Sequence, residues 1–323
     1  MGTIRKYNRT MLCILIYTVL LVTFLFIQSC KNEKKGTTLK AIQTENEVVI
    51  EIITEDMNFI APDTIPQGWN TWRYINKSNQ PHFILIDHYK EGVTVKEYEE
   101  EILPPFGEGI AKLYEGKSDE AMAAFGKFPE WYAETKWHGG VGLISPGKTA
   151  ESTIKLEPGY YIIECYVKMN NGMFHSNMGM YKELIVSDKK STIEEPTADV
   201  VVDISSKKGI VFNPPTEAGT FTIAVNFLDQ KKYGNFVGHD VNLVRIAENS
   251  DVATLEAWMN WIDLEGLIDP VPKGFEFLGG VNDMTAGSKG YFKAKLEPGN
   301  YALISEVPNS SSKNLLKTFV ISD

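Results

Sequence analysis

The sequence predicts an all-β chain, built as two tandem Greek-key β-sandwiches that each carry a helical insertion. Three observations lead there. A turn and the strand after it occur twice, as Leu156-Glu157-Pro158-Gly159 with Tyr161 and as Leu296-Glu297-Pro298-Gly299 with Tyr301. Two flanking marks repeat as well: Gly139-Gly140-Val141 returns as Gly279-Gly280-Val281, and Ile185-Val186-Ser187-Asp188 as Val320-Ile321-Ser322-Asp323. Between these marks, Gly, Pro and Asn turns cut the chain into short β-branched and aromatic runs, which is the rhythm of a sandwich.

The chain opens on a targeting segment. Arg5, Lys6 and Arg9 precede a nearly continuous apolar run from Met11 to Ile27, which stops at Ile27-Gln28-Ser29-Cys30. A basic start, an apolar stretch and a small residue before a cysteine resemble a bacterial lipoprotein signal over residues 1–29, with the lipid on Cys30; the alternative is an uncleaved spanning helix. Lys31 follows the cysteine, where no aspartate stands, and this points to the outer membrane of a bacterial envelope. Residues 30–44 are polar and lysine-rich and predict a flexible tether. The repeat then sets a first domain at 45–188, a linker at 189–198 around Pro196, and a second domain at 199–323.

Charge narrows the partners. The chain carries a net −10, and removing three positive charges and no acid with the signal makes this −13. Nucleic acid is thereby excluded as an expected partner, since its affinity comes from neutralising phosphates. The expected contacts are the lipid bilayer, through Cys30, and a protein partner with basic surface.

Taken in order, Val48 to Ile53 reads as a strand, and Thr71 to Ile75 as another after the Pro66-Gln67-Gly68 turn. His82 to Asp87 follows, with His82, Ile84 and Ile86 on one face by the two-residue period. Glu91 to Trp131 reads as a helical insertion, its first helix stopped by Pro104-Pro105. Thr149 to Ile154 is the next strand. In Tyr161 to Val167 the alternation places Tyr161, Ile163, Cys165 and Val167 inward, and Tyr181 to Val186 closes the unit. In the second copy His239 lines up with His82, and the helix is shorter, Asp251 to Ile262.

Cysteine usage singles out one residue. Cys13 leaves with the signal and Cys30 takes the lipid, so Cys165 is the thiol left to the folded protein, without an intramolecular partner. It is either an inert buried residue or a reactive one. Its loop continues to His175 and Met180, and a thiolate, an imidazole and a thioether are donors suited to copper.

These residues resemble the cupredoxin, or blue copper, family. Pro81-His82 on a strand is similar to that family's first histidine ligand, and the LEPG turn, the strand ending in cysteine and the His–Met loop are similar to its ligand loop. The nine residues between Cys165 and His175 make a longer loop than in the small electron carriers of the family. Phe83 stands where an asparagine often braces the thiolate. The resemblance implies a copper ion held by His82, Cys165, His175 and an axial Met180, with Met178 as the alternative axial donor. It implies a membrane-anchored electron carrier with a redox partner. A Cu(I)-handling protein that exchanges copper with a partner, or a metal-free binding module, are the alternatives. No nucleophile–base pair and no suitably spaced carboxylates are visible, so no enzyme is expected. Ser305 replaces Cys165 in the second copy, and its loop, Val307 to Asn314, has neither histidine nor methionine; one copper per chain is therefore expected.

Overall fold

The structure is a computed structural model, and it describes residues 49–322. The signal, the tether and Cys30 lie outside the described residues. Among those described, no helix is long and apolar enough to cross a membrane.

The first sandwich comprises β1 (Val49–Glu55), β2 (Asn58–Ile60), β3 (Thr64–Asn76), β4 (Leu85–His88), β5 (Lys136–Trp137), β6 (Thr149–Leu156), β7 (Gly159–Glu164) and β8 (Tyr181–Lys190). Its long strand β3 serves both sheets. The start of β3 pairs in parallel with β8, and its remainder pairs antiparallel with β6 and parallel with β1. The second sandwich repeats the plan with β9 (Val200–Ser205), β10 (Gly209–Phe212), β11 (Gly219–Phe227), β12 (Val241–Ile246), β13 (Phe275–Val281), β14 (Lys289–Leu296), β15 (Gly299–Ile304) and β16 (Leu316–Ile321). The two-sandwich all-β expectation therefore holds.

The two sandwiches share one sheet. Strand β14 of the second pairs antiparallel with β6 of the first through Tyr291↔Thr153, Phe292↔Ser152 and Lys293↔Glu151. A second seam joins the two glycine motifs, by bridges at Val141↔Val281 and Ile144↔Leu278 and by the Gly142 N–H to the Gly280 carbonyl at 3.2 Å. This explains why the Gly-Gly-Val motif is repeated. A Cβ on Gly140 (φ +133°) would stand 1.9 Å from the Ile84 carbonyl oxygen, and a Cβ on Gly280 (φ +146°) 1.9 Å from that of Val241. Only a residue without a side chain lets each motif lie against its histidine-bearing segment.

The insertion differs from its expected form. The prolines do not stop a helix: Leu103–Tyr114 begins there, with Pro104 and Pro105 in its first turn. The π-helical turn before them, Tyr98–Ile102, takes up the break: the Leu103 N–H donates to the Tyr98 carbonyl, five residues back, and the missing proline N–H groups fall in the first turn of the next helix. This turn joins the helix to a capping box made by Thr94 and Glu97. A helix at Ser118–Phe125 follows. Phe106 then packs on Phe125, Phe128 and Tyr132 within the insertion, on Phe174 of the first sandwich and on Phe236 of the second.

Candidate metal centre

The ligand loop is set by the strand that leads into it. The Tyr161 hydroxyl donates to the Glu157 carbonyl at 2.9 Å, fixing the LEPG turn to β7 as a tyrosine corner. Alternation along β7 carries Tyr161 and Ile163 into the core, and Cys165 and Val167, just past the strand's end at Glu164 rather than within it as expected, keep the same inward sense; all four are buried. After β7 the chain folds back on itself. The His175 N–H donates to the Val167 carbonyl at 2.9 Å, Met180 N–H to the His175 carbonyl at 3.0 Å, and Cys165 N–H to the Met180 carbonyl at 3.2 Å. These bonds close the nine-residue excursion, so its length does not move His175 away from Cys165.

His82 arrives from the opposite edge. It was expected within a strand, but strand pairing with β7 begins only at Leu85, and His82 is held by a single bridge to Ile144. On the other side of this segment, Ile84 and Ile86 donate to the Val141 and Gly139 carbonyls of the glycine motif.

Three donors converge. Cys165 Sγ lies 3.7 Å from His82 Nδ1 and 3.7 Å from His175 Nδ1, and the two nitrogens are 3.1 Å apart. A triangle with these sides has its centre about 2.0 Å from each corner, within the usual range of metal–nitrogen bonds and slightly short for metal–sulfur. All three residues are 0% exposed, and among the described residues they form the group that can hold a metal ion. The backbones of Phe83 and Val167 favour the ionised form of the sulfur.

Burial governs the protonation of this cluster. It pushes the Cys165 thiol up to about 12. It lowers His175 to about 4, and, together with the adjacent His175, lowers His82 to about 3. Without a metal, a neutral thiol faces two neutral imidazoles; a cation at their centre reverses the balance in favour of the thiolate. Both Nε2 atoms are buried without a partner, so no second residue orients the rings from behind.

The axial candidates separate by exposure. Met180 is buried in the same core as Cys165, whereas Met178 is 45% exposed, which disfavours it as a donor. His88 and His138 lie elsewhere, packed on Tyr161.

The second sandwich carries the same frame without the donors. The Tyr301 hydroxyl donates to the Glu297 carbonyl at 2.9 Å, Ser305 N–H to Leu315, and Leu315 N–H to Ser310. By these bonds Ser305, Ser310 and Leu315 occupy the places of Cys165, His175 and Met180. His239 turns away, its Nε2 3.0 Å from the Tyr233 hydroxyl.

Sequence reasoning missed the surroundings of the site. Tyr166, Phe174 and Trp261 enclose the loop. Four buried carboxyl groups, Asp87, Asp240, Asp283 and Glu306, and the half-buried Glu164 are all raised chiefly by burial. Their positions are set by long-range packing, which no local pattern announces.

No protein-family model and no curated protein matches the chain. Solved structures similar to it include auracyanin A, a blue copper protein from Chloroflexus aurantiacus, at 21% identity over 44% of this chain and 100% of that one, with a TM-score of 0.27. A multicopper oxidase is 14% identical over 85% and 88%, at 0.21, and a copper nitrite reductase from Nitrosomonas europaea 13% identical over 86% and 94%, at 0.22. The chain has a cupredoxin-like fold in two domains. At such scores these likenesses assign no activity, and the site rests on its own geometry. The expectation of a non-enzyme is nevertheless corrected, because oxidases and nitrite reductases, which are enzymes, stand among the similar structures.

Proposed function

We propose that the first domain is a mononuclear copper site that exchanges single electrons, on a chain anchored to the bacterial envelope through lipidated Cys30. The observation that supports this most is the His82–Cys165–His175 triangle, whose centre lies at bonding distance from three soft or borderline donors. Two imidazoles and a thiolate in a plane, with a weak thioether, suit a copper ion that cycles between oxidation states with little rearrangement. Bound there, copper supplies one-electron chemistry. The chain's own part is to hold the donors fixed through the β7 corner and the loop's backbone bonds, and to keep water away from a wholly buried site. Low-dielectric, preorganised surroundings limit the reorganisation that accompanies a change of charge.

A Cu(I)-handling role is the second reading. It is favoured by Met173 and Met178, thioethers that flank His175 on the ligand loop and are each 45% exposed. Copper titration of the mature chain separates the two. An electron carrier gives an intense visible band when oxidised, absent in Cys165→Ser. A Cu(I) handler takes up metal and stays colourless. Failure to bind copper tightly would end both readings.

A further inference from the structure

The second domain reaches over the metal site with one side chain. Trp261 stacks on Phe174, with centroids 5.7 Å apart and planes 5° from parallel, and meets Tyr166 edge-on at 5.7 Å. Phe174 precedes His175 and Tyr166 follows Cys165, so a single indole braces the neighbours of two ligands. Trp261 is itself only 7% exposed.

Its backbone is tied to the ligand loop. Lys168, three residues beyond Cys165, is buried and donates from Nζ to the Trp261 carbonyl at 2.8 Å and the Asp263 carbonyl at 2.6 Å. The Lys168 N–H donates to the Leu267 carbonyl, and its own carbonyl accepts from Asp269 N–H, both at 2.8 Å. Burying an ammonium group is costly unless its donors are satisfied. Here the partners are main-chain carbonyls of the other domain, a fixed address rather than a movable counter-ion.

We propose that Trp261, held in place by Lys168, is the lid of the metal site: a positioning residue of the second domain that keeps solvent and foreign ligands away from Cys165 and His175. The purpose of the lid rests on the copper reading, but closure itself is read on the thiol and needs no metal. A domain that lost its own donors thereby has a defined task in the first domain's site.

The test uses the mature full-length chain as wild type, Trp261→Ala, Trp261→Phe and Lys168→Met. In metal-free protein, alkylation of Cys165 by iodoacetamide should be at least about tenfold faster in Trp261→Ala and in Lys168→Met, one decade in the local opening equilibrium. Trp261→Phe keeps a flat ring on Phe174 and should stay near the wild-type rate. In copper-loaded protein, azide should perturb the visible spectrum of Trp261→Ala and leave wild type unchanged. Equal alkylation rates in all four proteins overturn the proposal. So does a faster rate whose urea dependence matches global unfolding, because Trp261 is then ordinary packing. If wild type binds no copper while the alkylation pattern appears as expected, the copper reading fails and the lid stands.

Discussion

The Ser305 hydroxyl donates to Asp240 Oδ1 at 2.7 Å, at the place where the first domain turns Cys165 toward two histidines. The bond is part of a ring: Glu306 N–H donates to the same carboxylate oxygen at 2.8 Å, and Asp240 N–H donates back to the serine oxygen at 3.2 Å. Asp240 follows His239 as Phe83 follows His82. The second domain has thus replaced a cluster of lone pairs by a closed set of hydrogen bonds.

One copper per chain is therefore expected. Elemental analysis of copper-saturated protein should give a ratio near one, falling to near zero in Cys165→Ser. Ser305→Cys should not raise it, because Ser310 and Leu315 supply no imidazole or thioether and His239 is directed at Tyr233. Removing the hydroxyl should cost roughly 1–3 kcal/mol of stability, the range for breaking a buried hydrogen bond to a charged group. Two tight copper ions per wild-type chain would contradict this division.

Copper uptake should release about one proton per chain at pH 7, in the manner of other thiolate metal sites. The sign follows from the protonation of the cluster. The thiol, raised by burial to about 12, holds its proton, while His82 and His175, lowered to about 3 and about 4, have none on the binding nitrogen to lose. Affinity should then weaken about tenfold for each unit that pH falls, down to about 4, where the imidazoles begin to compete as well. Calorimetry in two buffers of different ionisation enthalpy measures the proton count; a count of zero would mean that the thiol is already ionised.

The two glycine motifs offer a matched pair of substitutions. Gly140→Ala and Gly280→Ala each drive a Cβ into a backbone carbonyl at 1.9 Å from a positive φ, and each should lower stability by about 3–5 kcal/mol, at the upper end for single substitutions. Their effects on metal should differ. Gly140 presses on the segment that carries His82, so Gly140→Ala should weaken copper binding, whereas Gly280→Ala should unfold more easily in urea yet bind copper as wild type does while folded. Equal losses of copper affinity would show that the two motifs act as one mechanical unit.

Anchoring is tested at the cysteine after the signal. Cys30→Ser should abolish lipid labelling and leave the chain unprocessed, as read by mass and by membrane fractionation. A correctly processed, lipid-labelled Cys30→Ser chain would refute the lipoprotein reading.

Much of this architecture was legible in the sequence, because duplication writes the same local pattern twice. The LEPG turns and the inward alternation to Cys165 are local or periodic features, and equivalent hydrogen bonds mark them in the two halves, whereas the aligned histidines make different contacts. The convergence of His82 on Cys165, 83 residues apart, was inferred from shared inward faces. What was not legible depends on packing between distant segments: Trp261 over Phe174, Lys168 under Trp261, and the pairing of β6 with β14. Nor did Pro104-Pro105 reveal that helix continues on both sides of the prolines, since proline ends one helix and begins another by the same missing N–H.

The shared sheet also sets an order in time. Strand β6 is complete by Leu156, but its outer neighbour β14 is not synthesised until Lys289–Leu296, and Trp261 comes 81 residues after Met180. During that interval the growing chain presents an unpaired strand edge and an unlidded thiol. An open edge invites pairing with other chains until β14 covers it. The metal can be enclosed only after almost the whole chain has emerged, which makes loading a late event in the life of the molecule and a truncated product a poor competitor for copper.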